Sequence, residues 1–527
     1  MPSQAMMWHN LSMARLLWRC GLAAFLAILA GTALAAPRLE RERCHFKPPR
    51  GDRVACFVLV VPENREAPDG REVRLKVAIL KARRTASAEP LVYLSGGPGD
   101  APLVASSRGG DPLAEGDWWK ETAGIRRRRD VIILSQRGAG GSSPNLDCFA
   151  PRPGEAAKVL PHPLTEAEEQ EVLVRCRAAF ERRKIDLGQF STPALADDVA
   201  DLAAVLSRPK INLYGVSYGT RWALEVMRRH PDLVRAAVLD GVYPPQVNGE
   251  QDEPAIVRRA FEQLYADCAA DVLCRERHPA LRETVESVVT DAEDDPVPVT
   301  LQLDEGPQSV RLGGAKLMAV LLHMMREGEA ASIPETIAAM RKGDLRLLTM
   351  FAEDLEADDG GLLERNAQQF DGLYNSIECR ETWASVDQAA RRKAIEAGGI
   401  YGLNAQTSKS PAFCPAWRVA PAPASERRPV SSTIPTLLLS GGYDWLTPPA
   451  WGRDAAQHLS SSRHVTFRAQ GHGVVVQDSC AARLRDAFIE DPDPRRTPPC
   501  RADTPPNFTA AFERARNLPR ETREKPR

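Results

Sequence analysis

Strand-like and helix-like stretches alternate through the first half of this chain, and that alternation limits the folds open to it. Leu91 to Leu94 and Val131 to Leu134 are short apolar runs, the pattern of strands buried on both faces. Each runs into a glycine-rich loop, Ser95-Gly96-Gly97-Pro98-Gly99 after the first and Gln136-Arg137-Gly138-Ala139-Gly140 after the second. Ala194 to Leu206 has helical spacing, with Val199, Leu202, Ala203 and Leu206 on one face. Asn212 to Val216 then reads as strand, Thr220 to Arg229 as helix and Ala236 to Leu239 as strand. Short strands separated by helices require a mostly parallel sheet with helices on both faces. Upstream, Cys56 to Val61 and Val73 to Leu80 read as a hairpin turning at Pro68-Asp69-Gly70.

The alternation stops near residue 246. From there to 430 the pattern is mainly helical, as in Ala255 to Cys268 and Ala315 to Met325, with a small hairpin from Val297 to Leu303 and Ser309 to Leu312. Pro421 to Pro429 leads back to two strands, Thr436 to Leu439 and His464 to Phe467. The expected organisation is a sheet domain over 36–245 and 431–500, with a helical cap, 246–430, inserted between two strands. Residues 501–527 read as a loosely held tail rich in charge and proline. Arg126 to Arg129 reads as a solvated surface turn.

Residues 1–35 have the n-region, h-region and A-x-A pattern of a secretory signal: Arg15 and Arg19, the apolar run Gly21 to Ala30, then Ala33-Leu34-Ala35. The mature protein is therefore expected in the periplasm or outside the cell, without stable membrane insertion. Eleven cysteines occur, and Cys20 falls within the signal. The others lie in neighbouring couples, so sequential pairing is expected: Cys44–Cys56, Cys148–Cys176, Cys268–Cys274, Cys379–Cys414 and Cys480–Cys500. Other connectivities satisfy the same count. No spacing suits a metal. A formal net charge of −1 gives no basis for nucleic-acid binding.

Gly215-Val216-Ser217-Tyr218-Gly219 sits between an apolar strand and a helix. A sharp strand-to-helix turn needs flanking residues without bulk and lifts the serine hydroxyl above the sheet edge. The hydroxyl needs a base, and His472 follows the last strand in Gly471-His472-Gly473. The base needs an orienting carboxylate. Asp444, reached from the preceding strand through Ser440-Gly441-Gly442-Tyr443, is favoured over Asp240, which sits in a proline-rich exit. The order Ser, Asp, His is that of α/β-hydrolases. The oxyanion needs backbone N–H donors, expected from Tyr218 and from the Gly96-Gly97-Pro98-Gly99 loop at Gly97.

Ser-Gly-Gly-Pro-Gly, Gln-Arg-Gly-x-Gly, Gly-x-Ser-Tyr-Gly, Asp240-Gly-Val, Gly-Gly-x-Asp444 and Gly-His472-Gly stand in an order that resembles the prolyl and tripeptidyl aminopeptidases of the α/β-hydrolase superfamily. The nearest likeness is to the secreted bacterial tripeptidyl-aminopeptidase-like group, over residues 40 to 500. Where that group usually has His and Asp, this chain has Ser95 and Ser135. The resemblance implies hydrolysis of peptide bonds near a free N-terminus, with no cofactor. It also implies a carboxylate in the cap for the substrate amine, for which Glu378 is the candidate, and substrate contact at Gly96. Two other readings stay open: the same machinery acting on small esters or amides, and a silent hydrolase fold used for binding.

Overall fold

The structure, a computed structural model, describes residues 36–84, 89–103, 117–148, 166–303, 306–359, 362, 372–407, 413–496 and 498–518. The expected signal segment lies outside the described residues.

Among the described residues nine strands form one sheet: β1 (Arg38–Glu42), β2 (Val54–Pro62), β3 (Glu72–Leu80), β4 (Leu91–Leu94), β5 (Val131–Leu134), β6 (Ile211–Val216), β7 (Val234–Asp240), β10 (Thr436–Gly441) and β11 (Ser462–Phe467). Their spatial order is β1-β2-β3-β5-β4-β6-β7-β10-β11. β1 to β3 are antiparallel, β3 runs antiparallel to β5, and from β5 to β11 every pairing is parallel. The central strands are buried throughout or nearly so, which is why they read as unbroken apolar runs. β1 was not anticipated; its charged sequence Arg-Leu-Glu-Arg-Glu carries no strand signal, and its residues pair with the β2 edge.

The connection from β7 to β10 is long, yet the two strands are neighbours in register, Thr436 beside Ala237. It includes β8 (Val297–Leu303) and β9 (Gly306–Leu312), which pair only with each other. Its apolar residues serve two cores. Phe261, Leu317, Met318 and Phe351 centre a core of their own. Leu373, Ile377, Trp383, Phe413 and Trp417 instead join Phe190, Trp222 and Leu224 against one face of the sheet. The other face is covered by Leu484, Phe488 and Ile489 of the helix Ser479–Glu490.

Two expectations need correction. The Arg126 to Arg129 run is not a solvated turn throughout: Arg126 and Arg129 are buried. Arg126 pairs with Asp52 at 2.6 Å, donates to Thr122 Oγ1 and the Trp119 carbonyl, and lies over the Trp119 ring. Burial of Arg126 is tolerated because its charge is met. Nor is the tail loose from Arg501 to Leu518. Phe508–Asn517 is a helix whose Phe508 and Ala511 are buried, Phe508 in the cap core, and Arg514 pairs with Glu329 at 2.6 Å. Two apolar residues three apart anchor it, a signal that the surrounding charge and proline conceal.

Disulfides join Cys44 to Cys56, Cys148 to Cys176, Cys268 to Cys274, Cys379 to Cys414 and Cys480 to Cys500. Such density belongs to proteins that mature in an oxidising compartment. Among the described residues, no helix is long and apolar enough to cross a membrane.

The loop after β5 is held by a buried ion pair. Arg137 donates to both oxygens of Asp198 at 2.8 and 2.6 Å, and to the carbonyls of Glu63 and Gln189. Both side chains are fully buried. Asp198→Ala leaves the Arg137 guanidinium without its counter-charge and is expected to cost about 3–5 kcal/mol, measured by urea unfolding.

Candidate active site

Ser217 closes β6 and opens the helix Tyr218–Arg229. Its backbone, at φ 58° and ψ −127°, is one that a side-chain-bearing residue rarely adopts. The neighbours make that turn possible. A Cβ on Gly215 would lie 2.3 Å from the Gly219 carbonyl oxygen, and one on Gly219 would lie 2.0 Å from that of Leu94. Only glycine fits at either place. Hydrogen bonds hold the strained residue on both sides: Ser217 N–H donates to the Asp240 carbonyl at 2.9 Å, and Thr220 Oγ1 donates to the Ser217 carbonyl at 2.7 Å.

Asp444 and His472 come together from the loops after β10 and β11. Nδ1 of the imidazole lies 2.9 Å from Asp444 Oδ2. The carboxylate is fully buried and its remaining capacity is used: Oδ1 accepts from the Leu446 and Thr447 N–H groups, and Oδ2 accepts Thr447 Oγ1 at 2.6 Å. Thr447 Oγ1 also lies 3.1 Å from His472 Nδ1. The imidazole packs over Gly241, where a Cβ would come within 3.0 Å of its Cε1. Gly241 follows Asp240, whose carbonyl takes the Ser217 N–H. The serine turn and the imidazole thus flank the same two residues.

Burial opposes a charged imidazole, yet the Asp444 carboxylate, by charge and hydrogen bond, outweighs it with help from Asp240, and His472 is held above its ordinary pKa. Asp240, the rival acid, makes no hydrogen bond to the ring. Its oxygens accept the N–H groups of Val474 and Val475 at 2.9 and 3.0 Å. Burial pushes its carboxyl up to about 6, against the lowering effect of those two N–H groups and of His472.

The cap grips both loops. His472 N–H donates to the Arg326 carbonyl at 2.8 Å, at the end of the helix Gly314–Arg326. A Cβ on Gly471 would lie 2.1 Å from the Met325 carbonyl, so the approach needs glycine. Gln477 brackets the same point: Nε2 donates to the carbonyls of Arg326 and His472 at 2.7 and 2.8 Å, and Oε1 accepts Gly471 N–H at 2.8 Å. From the helix Gly249–Ala270, Arg259 donates to the carbonyls of Gly442 and Asp444 at 2.7 and 2.6 Å.

The glycine loop after β4 lies beside the serine. A Cβ on Gly96 would be 3.2 Å from Ser217 Cβ, and Gly97, one residue on, takes φ 96°. Gln136 shapes this loop, donating to the carbonyls of Ser95 and Gly96 and to Ser95 Oγ while accepting Gly99 N–H. Ser135 is fully buried and its Oγ has no hydrogen-bond partner among the described residues. On the cap side, Glu378 opens the π-helical turn Glu378–Thr382 and is buried. Its charge is felt at Tyr218, Arg221, Tyr243 and Tyr374. Glu381 accepts the Thr192 N–H and Oγ1 at 2.8 and 2.6 Å, and Thr192 Oγ1 in turn lies 2.7 Å from the Tyr218 hydroxyl.

The sequence reading named Ser217, Asp444, His472, Gly96, Gly97, Tyr218 and Glu378, but not Thr447, Gln477, Gln136, Arg259 or Glu381. Thr447 had a signal: an Asp followed three residues on by Thr suits a turn in which the carboxylate caps its own chain. Gln136 stood in the quoted Gln-Arg-Gly-x-Gly motif, but its partners in the Gly96 loop are forty residues away; Arg259, Glu381 and the Gln477 bond to Arg326 also act across long separations and had no signal.

With this geometry in place, relationships to known proteins can be stated. Residues 89–284 match the profile of the alpha/beta hydrolase fold, and residues 401–500 match that of the TAP-like proteins. The chain is an α/β hydrolase, of the serine hydrolase class. It is 26% identical over 486 residues to the tripeptidyl aminopeptidase of Streptomyces lividans, covering 87% of this chain and 86% of that protein. It is 26% identical over 466 residues to the serine protease Hip1 of Mycobacterium tuberculosis, covering 82% of this chain and 84% of that protein. Among solved structures, a proline iminopeptidase from Mycobacterium smegmatis aligns over 83% of this chain and 98% of its own at 15% identity, with a TM-score of 0.36.

Gln477→Ala removes three hydrogen bonds around His472 without touching its ring. It is expected to lower kcat about tenfold, the equivalent of roughly 1.4 kcal/mol, and to leave KM nearly unchanged. Steady-state kinetics with an unaltered circular dichroism spectrum checks this.

Proposed function

We propose that the protein is an exported serine peptidase that releases short peptides or single residues from a free N-terminus, with Ser217, His472 and Asp444 as its triad. The observation that carries this reading is the His472–Asp444 contact at 2.9 Å, beside the residues that hold the strained Ser217 turn. His472 Nε2 takes the proton from Ser217 Oγ as the oxygen attacks the scissile carbonyl carbon. Backbone N–H groups of Tyr218 and Gly97 donate to the oxyanion. As the C–N bond breaks, His472 returns the proton to the leaving amine, and an acyl group remains on Ser217. Water, deprotonated by His472, then frees the acyl group as an acid. Asp444 holds the ring with Nδ1–H toward it and stabilises the charge that forms; Thr447 fixes Asp444.

The named relatives, a tripeptidyl aminopeptidase and a serine protease, support peptide bonds as the substrate. A cationic α-amine needs carboxylates near the acyl side, and Glu378 in the cap is the candidate acceptor. The disulfides and the N-terminal pattern support export, with residues 1–35 removed and the mature chain beginning at Ala36.

Ser217→Ala should abolish turnover and labelling by a fluorophosphonate probe; labelling that survives would defeat the assignment. Chromogenic peptide amides with free N-termini should be cleaved far faster than blocked ones or short acyl esters. Equal rates on free and blocked peptides would reject the aminopeptidase reading. Glu378→Gln should raise KM for free-amine substrates about tenfold or more.

Activity requires the unprotonated imidazole, so kcat/KM should fall as pH drops through the raised pKa of His472, at a midpoint above its ordinary value of about 6.5. Asp240→Asn removes one of the charges that raise it and should move that midpoint to lower pH. Asp444→Asn should instead lower kcat by several orders of magnitude at every pH. A pH–rate profile of the three proteins separates the two acids.

A further inference from the structure

The arginine run that the catalytic reading does not use borders a cleft of about 650 Å³. Arg127, Arg128 and Arg129 line it from the turn leading into β5, Arg84 from the chain after β3, and Arg483 from the helix Ser479–Glu490. Because β3 is antiparallel to β5, with Leu80 beside Val131, these groups gather at the N-terminal end of the parallel strands. Ser217 follows the C-terminal end of β6, so the length of the strands, roughly 20 Å at about 3.3 Å per residue, separates the two places.

The charges in the cleft do not balance. Asp486 and Glu490 are the carboxylates that line it. Asp486 is taken by Arg485 at 2.7 Å, and Glu490 by Arg128 at 2.9 Å and Arg129 at 3.5 Å. Arg127 donates to the Gly124 carbonyl and Arg483 to Ser479 Oγ. Among the described residues no carboxylate pairs with Arg84, Arg127 or Arg483, and all three are exposed. Arg129 adds an independent sign. It is 4% exposed, yet its Nε has no hydrogen-bond partner. A buried guanidinium N–H left unmet costs free energy unless something binds it. Ile125, Ile489, Pro498 and Pro499 supply apolar wall, and the Cys480–Cys500 disulfide ties the helix to the proline segment beside it.

We propose that this cleft is a binding site for a phosphate-bearing ligand, separate from the catalytic centre. Guanidinium forks match the oxygens of a phosphate in a way that carboxylate-poor surfaces leave available. The volume suits a ligand larger than one phosphate, and the apolar wall suits a carbon portion next to the charge. The same chemistry could be presented by a soluble oligophosphate or by the headgroups of an anionic phospholipid surface.

The test uses the full mature protein and a triple variant, Arg84→Gln with Arg127→Gln and Arg483→Gln, at exposed positions away from the catalytic residues. Tripolyphosphate binding is measured by titration calorimetry. Cosedimentation is measured with vesicles of phosphatidylcholine alone and of phosphatidylcholine with phosphatidylglycerol. The wild type should bind tripolyphosphate, the phosphatidylglycerol vesicles or both, more weakly as salt rises, and the triple variant at least tenfold more weakly. Its fluorophosphonate labelling and peptide turnover should equal those of the wild type, showing that the fold is intact. Binding to tripolyphosphate alone identifies a soluble source, and binding to vesicles alone a lipid one. No binding by the wild type to either probe, or equal binding by the triple variant, overturns the proposal.

Discussion

The strained backbone of Ser217 is the point on which the rest of the structure converges. A residue with a side chain at φ 58° and ψ −127° holds that conformation only where its surroundings leave no alternative. Here the end of β4 presses on Gly219, and the start of the following helix presses on Gly215 at the end of β6, so that neither glycine has room for a Cβ. The Asp240 carbonyl at the end of β7 takes the serine N–H, and Thr220 takes the serine carbonyl while accepting Tyr243 N–H at 2.8 Å. The position of the hydroxyl is thus a consequence of how three parallel strands pack.

The second constraint comes from the inserted cap. His472 is fastened through its main chain to the end of a cap helix, and Gln477 bonds to both sides of that joint. Arg259 does the same for the Asp444 loop. Trp445 adds a bond from its indole N–H to the Leu322 carbonyl at 2.8 Å. The cap is therefore part of the support of Asp444 and His472. Leu373, Ile377, Trp383, Phe413 and Trp417 of its C-terminal portion are packed into the sheet's own core, and the same portion carries Glu378 and Glu381 against Tyr218, Arg221 and Thr192. Movement of that portion would disturb the helix Tyr218–Arg229, so the cap cannot behave as a freely hinged lid along its whole length.

Legibility in the sequence followed the range of the forces involved. β4 and β5 have the limits their apolar runs indicate, and the hairpin of β2 and β3 pairs along its length. Ser217, Asp444 and His472 were readable because glycines beside them mark places where backbone must approach backbone. Arg126 was misread because a run of four arginines looks solvated until Asp52, Thr122 and Trp119 are known to surround one of them. The tail helix was missed because Phe508 has value only against a cap core formed by residues far upstream.

What the sequence by itself determined is the local chemistry: a parallel sheet, a serine at a strand-to-helix turn, and a carboxylate and an imidazole after the last two strands. These depend on periodicity and on glycine, both of which act over a few residues. What only the tertiary structure decided is which partners complete each group. It made Asp444 rather than Asp240 the ring's partner, because the loops after β10 and β11 are adjacent while Asp240 is committed to two backbone N–H groups. It also put Gln477 and Arg259 around the pair, and set the surplus arginines at the opposite end of the sheet. Hydrogen bonds between residues far apart in the chain require that the sheet be formed first, and no spacing along the sequence encodes them.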